Sequence, residues 1–427
     1  MAVTIKGCHI LQDGNFIPAN VRFDNGVITH IGQVVPPAEE VYDAQGHLLL
    51  PGMIDTHVHL REPGLTYKED FQTGSAAAAA GGITTILDMP NTKPATLTKG
   101  DLDYKRLLTR LCIVNWGLHM GYFRVPEHGP FNLDEIAKIS TSNSHNIASL
   151  KFFTKIQKTE TTGKLTITTQ KDIREGFEAA QKHRYRITVH GGGPILAKFM
   201  EYAEKYHVPV HIAHIASAAD VEQLRAYKRK HPHSLVSAEV TPHHLLLTSA
   251  ALEVLGNYSR MQPPLGTERD RQALWKALRD GTIDSVATDH APHTREDKKS
   301  PEIYGVPGLE TALPIILTAA LREELPWNRV TDIIARRPAE IYGIVLRGRL
   351  EVGYAADMVL CNIQDYTPVE EEKLHTKCKW SPFAGMSFTG WPIRTWVDGN
   401  LVFDQGKIYQ RSAREVDFKR PNGNAQH

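Results

Sequence analysis

The segment Pro51-Gly-Met-Ile-Asp-Thr-His-Val-His-Leu-Arg61 sets two imidazoles two residues apart in a β-like run. Side chains alternate along a strand, so Asp55, His57 and His59 are expected to face one way and Ile54, Thr56 and Val58 the other. Two imidazoles aimed at one spot form a metal-ligand pattern. Taken alone, the pair reads equally well as polar residues on a solvated strand face. Further candidates end other apolar runs: Lys151 in Ala148-Ser-Leu-Lys-Phe-Phe153, His190 in Ile187-Thr-Val-His190, His214 in Val210-His-Ile-Ala-His214, and Asp289 in Val286-Ala-Thr-Asp289. Singly, each has an ordinary explanation: a hydrogen-bonded, half-buried histidine, a helix N-cap, an exposed strand end. Jointly they make a metal site if the ends of their strands meet.

Eight strand, loop and helix units run from about residue 51 to 345, with strands expected near 53–59, 83–89, 113–121, 148–153, 186–190, 208–214, 234–240 and 283–289. Capping pairs Thr169 with Asp172, Ser217 with Asp220 and Thr267 with Asp270 mark helix starts, and Gly281 is placed to stop the last of these helices. Eight such units predict an α/β chain folded as a (β/α)8 TIM-like barrel, in which all strand C-termini converge on one face. An open doubly wound sheet is the competing fold, but the first strand lacks the GxGxxG loop of a nucleotide site. Residues 3–50 instead alternate short β-like runs with the turn dipeptides Asp13-Gly14 and Asn25-Gly26, and the same texture returns at 353–360 and around Asp398-Gly399. A small β-sandwich domain formed from both termini (1–50 and 346–410) is therefore expected beside the 51–345 barrel, with 411–427 as a loose polar tail.

Composition narrows the function classes. With 49 Lys plus Arg against 48 Asp plus Glu, the formal net charge is +1, and the longest basic run is Lys228-Arg229-Lys230. No electrostatic footprint for nucleic acid or an anionic membrane results, and a small-molecule substrate is expected. Four dispersed cysteines without a CxxC pair give neither a disulfide framework nor a thiolate zinc site. Without an apolar signal core or a bilayer-length apolar stretch, a cytoplasmic location is expected. The 21 histidines outnumber the 6 tryptophans and 13 phenylalanines together, which puts metal binding and acid/base chemistry first.

Over most of its length the sequence resembles the dihydroorotases of the long bacterial and multifunctional-enzyme type, within the amidohydrolase superfamily. The resemblance rests on Asp55-Thr-His-Val-His-Leu-Arg-Glu-Pro-Gly64, Gly81-Gly-Ile-Thr-Thr-Ile-Leu-Asp-Met-Pro-Asn-Thr92, Glu239-Val-Thr-Pro-His-His-Leu245, Ala287-Thr-Asp-His-Ala-Pro-His293 and Gly308-Leu-Glu-Thr-Ala-Leu-Pro314. Hydantoinases and allantoinases share the HxH pair, whereas REPG together with MPNT points to dihydroorotase. It implies two zinc ions, one held by His57, His59 and Asp289 and the other by His190 and His214, with carbamylated Lys151 bridging them. The implied reaction is reversible hydrolysis of dihydroorotate to N-carbamoyl-aspartate by a metal-bridged hydroxide, in pyrimidine biosynthesis. Asp289 would shuttle the proton, and Arg61, Asn91 and His293 would bind substrate. A homodimer and association with aspartate transcarbamoylase are the partner expectations.

Physical chemistry supports parts of that picture. Paired dications repel, so a site of neutral imidazoles needs an anionic bridge, and a carbamate turns a lysine into one. A guanidinium grips a carboxylate with two parallel hydrogen bonds, which suits Arg61; a surface ion pair with Glu62 or Glu69 is its ordinary alternative. Asn91 also reads as a turn residue after Pro90, and His293 as a helix-start residue after Pro292. His243 and His244 could offer another metal ligand but are assigned structural roles, and Pro263 and Pro264 a place in the pocket wall. The sequence departs from the family pattern where Gly191-Gly-Gly-Pro194 follows His190, which puts support for His190 in question, and where Gln262 replaces Asn, which puts the seating of the pocket loop in question. Two competing readings are a hydantoinase- or allantoinase-like cyclic amidase and a noncatalytic scaffold.

Overall fold

The computed structural model describes residues 1–123, 133–141, 146–153, 157–159, 163–165, 170–193 and 195–421. The expected cap at Thr169 and the proline at 194 lie outside the described residues.

Parallel strands Met53–Val58, Ile83–Asp88 and Asn115–Leu118 form one arc, and Met120–Tyr122, Leu150–Phe152, Ile187–His190, Val210–Ala213, Val236–Val240 and Ser285–Val286 form the other. A bridge between Val58 and His290, with the His59 amide donating to the His290 carbonyl at 2.8 Å, brings the last strand against the first. The expected 113–121 strand divides around His119, whose amide bonds the Asp88 carbonyl at 3.0 Å and whose ring bonds Ser149 and the Thr56 carbonyl. The eighth strand is shorter than expected, because Thr288 is tied sideways to Asp55 through both backbone amide and hydroxyl.

The helices are positioned by the chemistry expected of them. Ser217 caps Ala218–Lys230 by accepting from the Asp220 amide, and Thr267 with Asp270 forms a reciprocal capping box on Glu268–Arg279. Asp280 and left-handed Gly281 (φ 80°) end that helix.

The terminal segments share a nine-stranded sheet in which Leu48–Pro51 pairs with both Ala2–Gln12 and Met358–Asn362. Alternation explains why its central strands are apolar throughout. Leu49, Met358 and Leu360 enter a core with Ile5, Phe23 and Trp396, whereas Leu48, Leu50, Val359 and Cys361 face the barrel's core. Asp13-Gly14, Asn25-Gly26 and Asp398-Gly399 all have positive φ at both positions of two-residue hairpin loops, the geometry of a type I′ turn.

One expectation is corrected. The stretch after 410 is not loose up to residue 421: Val416 is buried, Glu415 pairs with Arg106, and Phe418 bridges Ile344. An apolar residue and a paired carboxylate anchor a segment that looks merely polar by composition. Among the described residues no helix is long and apolar enough to cross a membrane.

Candidate active site

The expected ligands gather at the C-terminal ends of the barrel strands. His57 lies on the first strand and His59 one residue beyond it, Lys151 on the Leu150–Phe152 strand, and His190 at the end of its own strand. His214 and Asp289 fall just past theirs in left-handed backbone conformation, at φ 38° and 47°. Non-glycine residues seldom adopt that region, and at a strand end it turns the side chain across the barrel mouth.

Simple alternation fails on the first strand. Its pairing with Ile83–Asp88 slips between Asp55 and Val58, a bulge-like irregularity. Thr56 and the adjacent His57 consequently both reach Glu239, at 2.9 and 2.7 Å, instead of facing opposite ways. Asp55, expected beside the histidines, accepts from Thr288 and from the His57 amide. The slip leaves His57 and His59 together, their ring centroids 5.2 Å apart.

The two histidines are oriented from behind. His57 Nδ1 meets a carboxylate oxygen of Glu239 and His59 Nδ1 meets Asn91 Oδ1, each at 2.7 Å. Those oxygens only accept, so each Nδ1 carries the hydrogen and each neutral Nε2 presents a lone pair. Both Nε2 atoms face Asp289 Oδ1, at 3.3 and 3.0 Å. Three acceptors converging without a donor call for a cation among them. Ligands about 2.1 Å from a tetrahedral ion stand roughly 3.4 Å apart, near these separations.

His214 extends the cluster, its ring 5.3 Å from that of His57 and 4.4 Å from that of His190. Ligand atoms of His57, His214 and Asp289 lie within 4.8 Å of one another. Among the described residues the His214 Nδ1 and the Lys151 Nζ are buried without hydrogen-bond partners, as expected of groups reserved for a ligand. Burial lowers the Lys151 ammonium to about 8, against the pull of Glu239 and Asp289. Burial also holds His59 well below the usual histidine range, helped by Arg61 and Lys151, and raises Asp289 above the usual carboxylate range.

Arg61 and His293 are brought together beside this cluster. Arg61, 6% exposed and left-handed at φ 64°, donates through Nε to the Pro292 carbonyl at 3.1 Å and lies 3.0 Å from His293 Nε2. Lys68 Nζ donates to His293 Nδ1 at 3.0 Å, which leaves His293 Nε2 to donate to the Tyr304 carbonyl at 2.9 Å. Burial, then Arg61, Lys68 and Lys298, keep the His293 ring neutral by pressing its pKa well below the ordinary range. Asn91, expected to touch substrate, accepts from His59 Nδ1 through Oδ1 and so orients that ring.

Sequence reasoning gave Glu239 no role, although it stands in one of the quoted motifs. Its oxygens accept from His57, Thr56 and His211, and His211 bonds Ser237 in turn. Burial would raise this carboxyl, but His57 and His211 outweigh it and keep the group ionised. An acidic residue inside a strand-like run closed by valines, Val236-Ser-Ala-Glu-Val240, was the available signal. His244 bonds Thr241 and the Pro263 carbonyl, while His243 Nε2 is buried without a hydrogen-bond partner among the described residues. The glycines after His190 also have a local reason. A Cβ on Gly191 would stand 2.6 Å from the Ala213 carbonyl, while the Gly193 amide is taken by Asp220.

The amidohydrolase family profile matches residues 48–402. The dihydroorotase of Halobacterium salinarum is 34% identical over 427 aligned residues, covering 95% of this chain and 98% of that protein. That of Methanosarcina mazei is 33% identical, covering 96% of each. Among solved structures, the L-hydantoinase (dihydropyrimidinase) of Arthrobacter aurescens superposes with a TM-score of 0.88 at 25% identity, covering 97% of this chain and 99% of that one. With ligands, barrel and near-complete alignment agreeing, the chain belongs to the amidohydrolase family and, within it, to the dihydroorotases.

Proposed function

We infer that this chain is a dihydroorotase, hydrolysing the cyclic amide of dihydroorotate to N-carbamoyl-aspartate and running the reverse closure in pyrimidine synthesis. The observation that carries the reading is the convergence of the His57 and His59 lone pairs on Asp289, with partnerless Lys151 and His214 nitrogens in the same site. That donor set fits zinc: His57, His59 and Asp289 would hold one ion, His190 and His214 a second, and Lys151, as a carbamate, would join them. Bound there, zinc supplies an activated water and polarises the amide carbonyl.

The remaining work belongs to side chains. Asp289, raised by burial, is suited to take a proton on its carboxylate and return it to the leaving ring nitrogen. Arg61, held by the Pro292 carbonyl beside neutral His293, would grip the substrate carboxylate. Glu239 and Asn91 hold the histidine tautomers that leave Nε2 open. The hydantoinase likeness in fold makes a cyclic amidase for neutral rings the second reading, and the buried Arg61 favours a carboxylated ring over it.

The test is turnover of dihydroorotate, hydantoin and allantoin by the purified, zinc-loaded protein. Dihydroorotate is expected to be the preferred substrate, with His59→Ala and Asp289→Ala inactive yet folded by circular dichroism. Preference for a neutral ring, or full activity in either variant, would overturn the reading.

A further inference from the structure

Remote from the ligand-bearing strand ends, a second cavity of about 390 Å³ opens where the Val210–Ala213 and Val236–Val240 strands begin. Arg186, Ser234, Ser237, Arg337 and Glu340 are among the residues lining it. Arg186 immediately precedes the Ile187–His190 strand, so its backbone is fixed in the barrel wall. Its side chain is 8% exposed, and one of its terminal nitrogens donates to the Lys419 carbonyl at 3.0 Å. Nε has no hydrogen-bond partner, and no carboxylate pairs with this guanidinium among the described residues.

A buried charge is costly unless it is matched. The cavity's own carboxylate does not match it: Glu340 is already held by Arg336, Arg337 and Arg349 at 2.8, 2.9 and 3.0 Å. Arg337 spends its other arm on Asp284, at 2.9 Å, and Asp284 also accepts from Lys228. This wall therefore keeps one cation over, facing a space within the size range of small-molecule pockets. Arg186 lines that space as a guanidinium unmatched by an acid among the described residues, a charge that suits an oxyanion, and Ser234 and Ser237 stand in the same wall. Apolar Leu235 and Ile341 provide room for the body of a molecule attached to that anionic group.

We propose that this cavity is a binding site for a small oxyanionic metabolite, held by its carboxylate or phosphate group on Arg186 and separate from the barrel mouth. The site does not depend on the catalytic reading, and its test uses the full chain. Crystals soaked in tungstate, a heavy analogue of phosphate, are expected to give an anomalous peak within hydrogen-bond distance of the Arg186 guanidinium. Calorimetric titration with inorganic phosphate and with succinate then identifies which of the two groups is preferred. Arg186→Gln is expected to weaken the preferred anion about tenfold or more, the scale of a lost charged hydrogen bond. Leu235→Trp, at a rim position 43% exposed, fills the cavity while keeping the charge. It is expected to weaken the same anion similarly with dihydroorotate turnover unchanged, so the test survives if Arg186→Gln fails to fold. Tungstate found only at the barrel mouth, or anion affinities untouched by Leu235→Trp, would overturn the proposal.

Discussion

Glu239 and His57 meet at 2.7 Å, carboxylate to Nδ1, in the buried interior of the barrel. This contact joins the Met53–Val58 strand to the Val236–Val240 strand, across the one strand that lies between them, and fixes which nitrogen of His57 is left for a metal. The same carboxylate is shared with Thr56 and His211.

Replacing that carboxylate separates its two roles. Glu239→Gln keeps the shape but removes the charge, and zinc affinity is expected to fall about 10–100-fold. Glu239→Ala also strands the buried nitrogens of His57 and His211, at a cost of about 3 kcal/mol or more. Metal analysis after equilibrium dialysis checks the first outcome, and urea unfolding of the metal-free protein checks the second.

Lys151 gives a pH dependence with a definite sign. In the metal-free fold burial holds its ammonium at about 8, against an ordinary value of 10.5. Between those values the unfolded chain binds the extra proton, so unfolding free energy rises with pH across this window. The burden is full below pH 8 and disappears toward 10.5, roughly 3 kcal/mol in all. Lys151→Met should flatten that rise in chelator-treated protein; parallel stability curves for the two proteins would refute it.

Arg61 should discriminate substrates by charge. Arg61→Ala is expected to cost about 2 kcal/mol or more in kcat/KM for dihydroorotate, some thirtyfold, and much less for any residual turnover of a neutral hydantoin. Equal losses on both substrates would mean that the side chain serves the loop at Pro292 and not the substrate carboxylate.

Gly191→Ala tests the tight contact after His190. The added methyl must displace the Ala213 carbonyl or the Ile212 side chain, both 2.6 Å away, and destabilisation of about 1–3 kcal/mol is expected. Because those neighbours immediately precede His214, bound zinc should fall as well. Thermal melts with and without zinc separate the two effects.

Much of this was legible in order along the chain because it depends on local periodicity. The strand runs, the hairpin dipeptides and the caps at Ser217 and Thr267 are each dictated by a few neighbouring residues, and the barrel follows from repeating them. The candidate ligands were legible because they fall at or near the ends of apolar strands, and a barrel brings such ends to one face. The phase of the first strand was not, since the slip between Asp55 and Val58 arises from pairing with another segment. That Asn91 orients His59 was not legible either, because sequence cannot tell which neighbour an amide oxygen will meet.

By itself the sequence determined the kind of fold, the family and the set of groups available for chemistry, because composition, spacing and motif are properties of neighbours along the chain. Only the tertiary structure decided which nitrogen of each histidine faces Asp289, that Glu239 stands behind His57, and that Arg186 is buried with no acid beside it among the described residues. Those outcomes depend on side chains separated by up to 232 positions, His57 from Asp289, whose electrostatic fit exists only once the barrel closes.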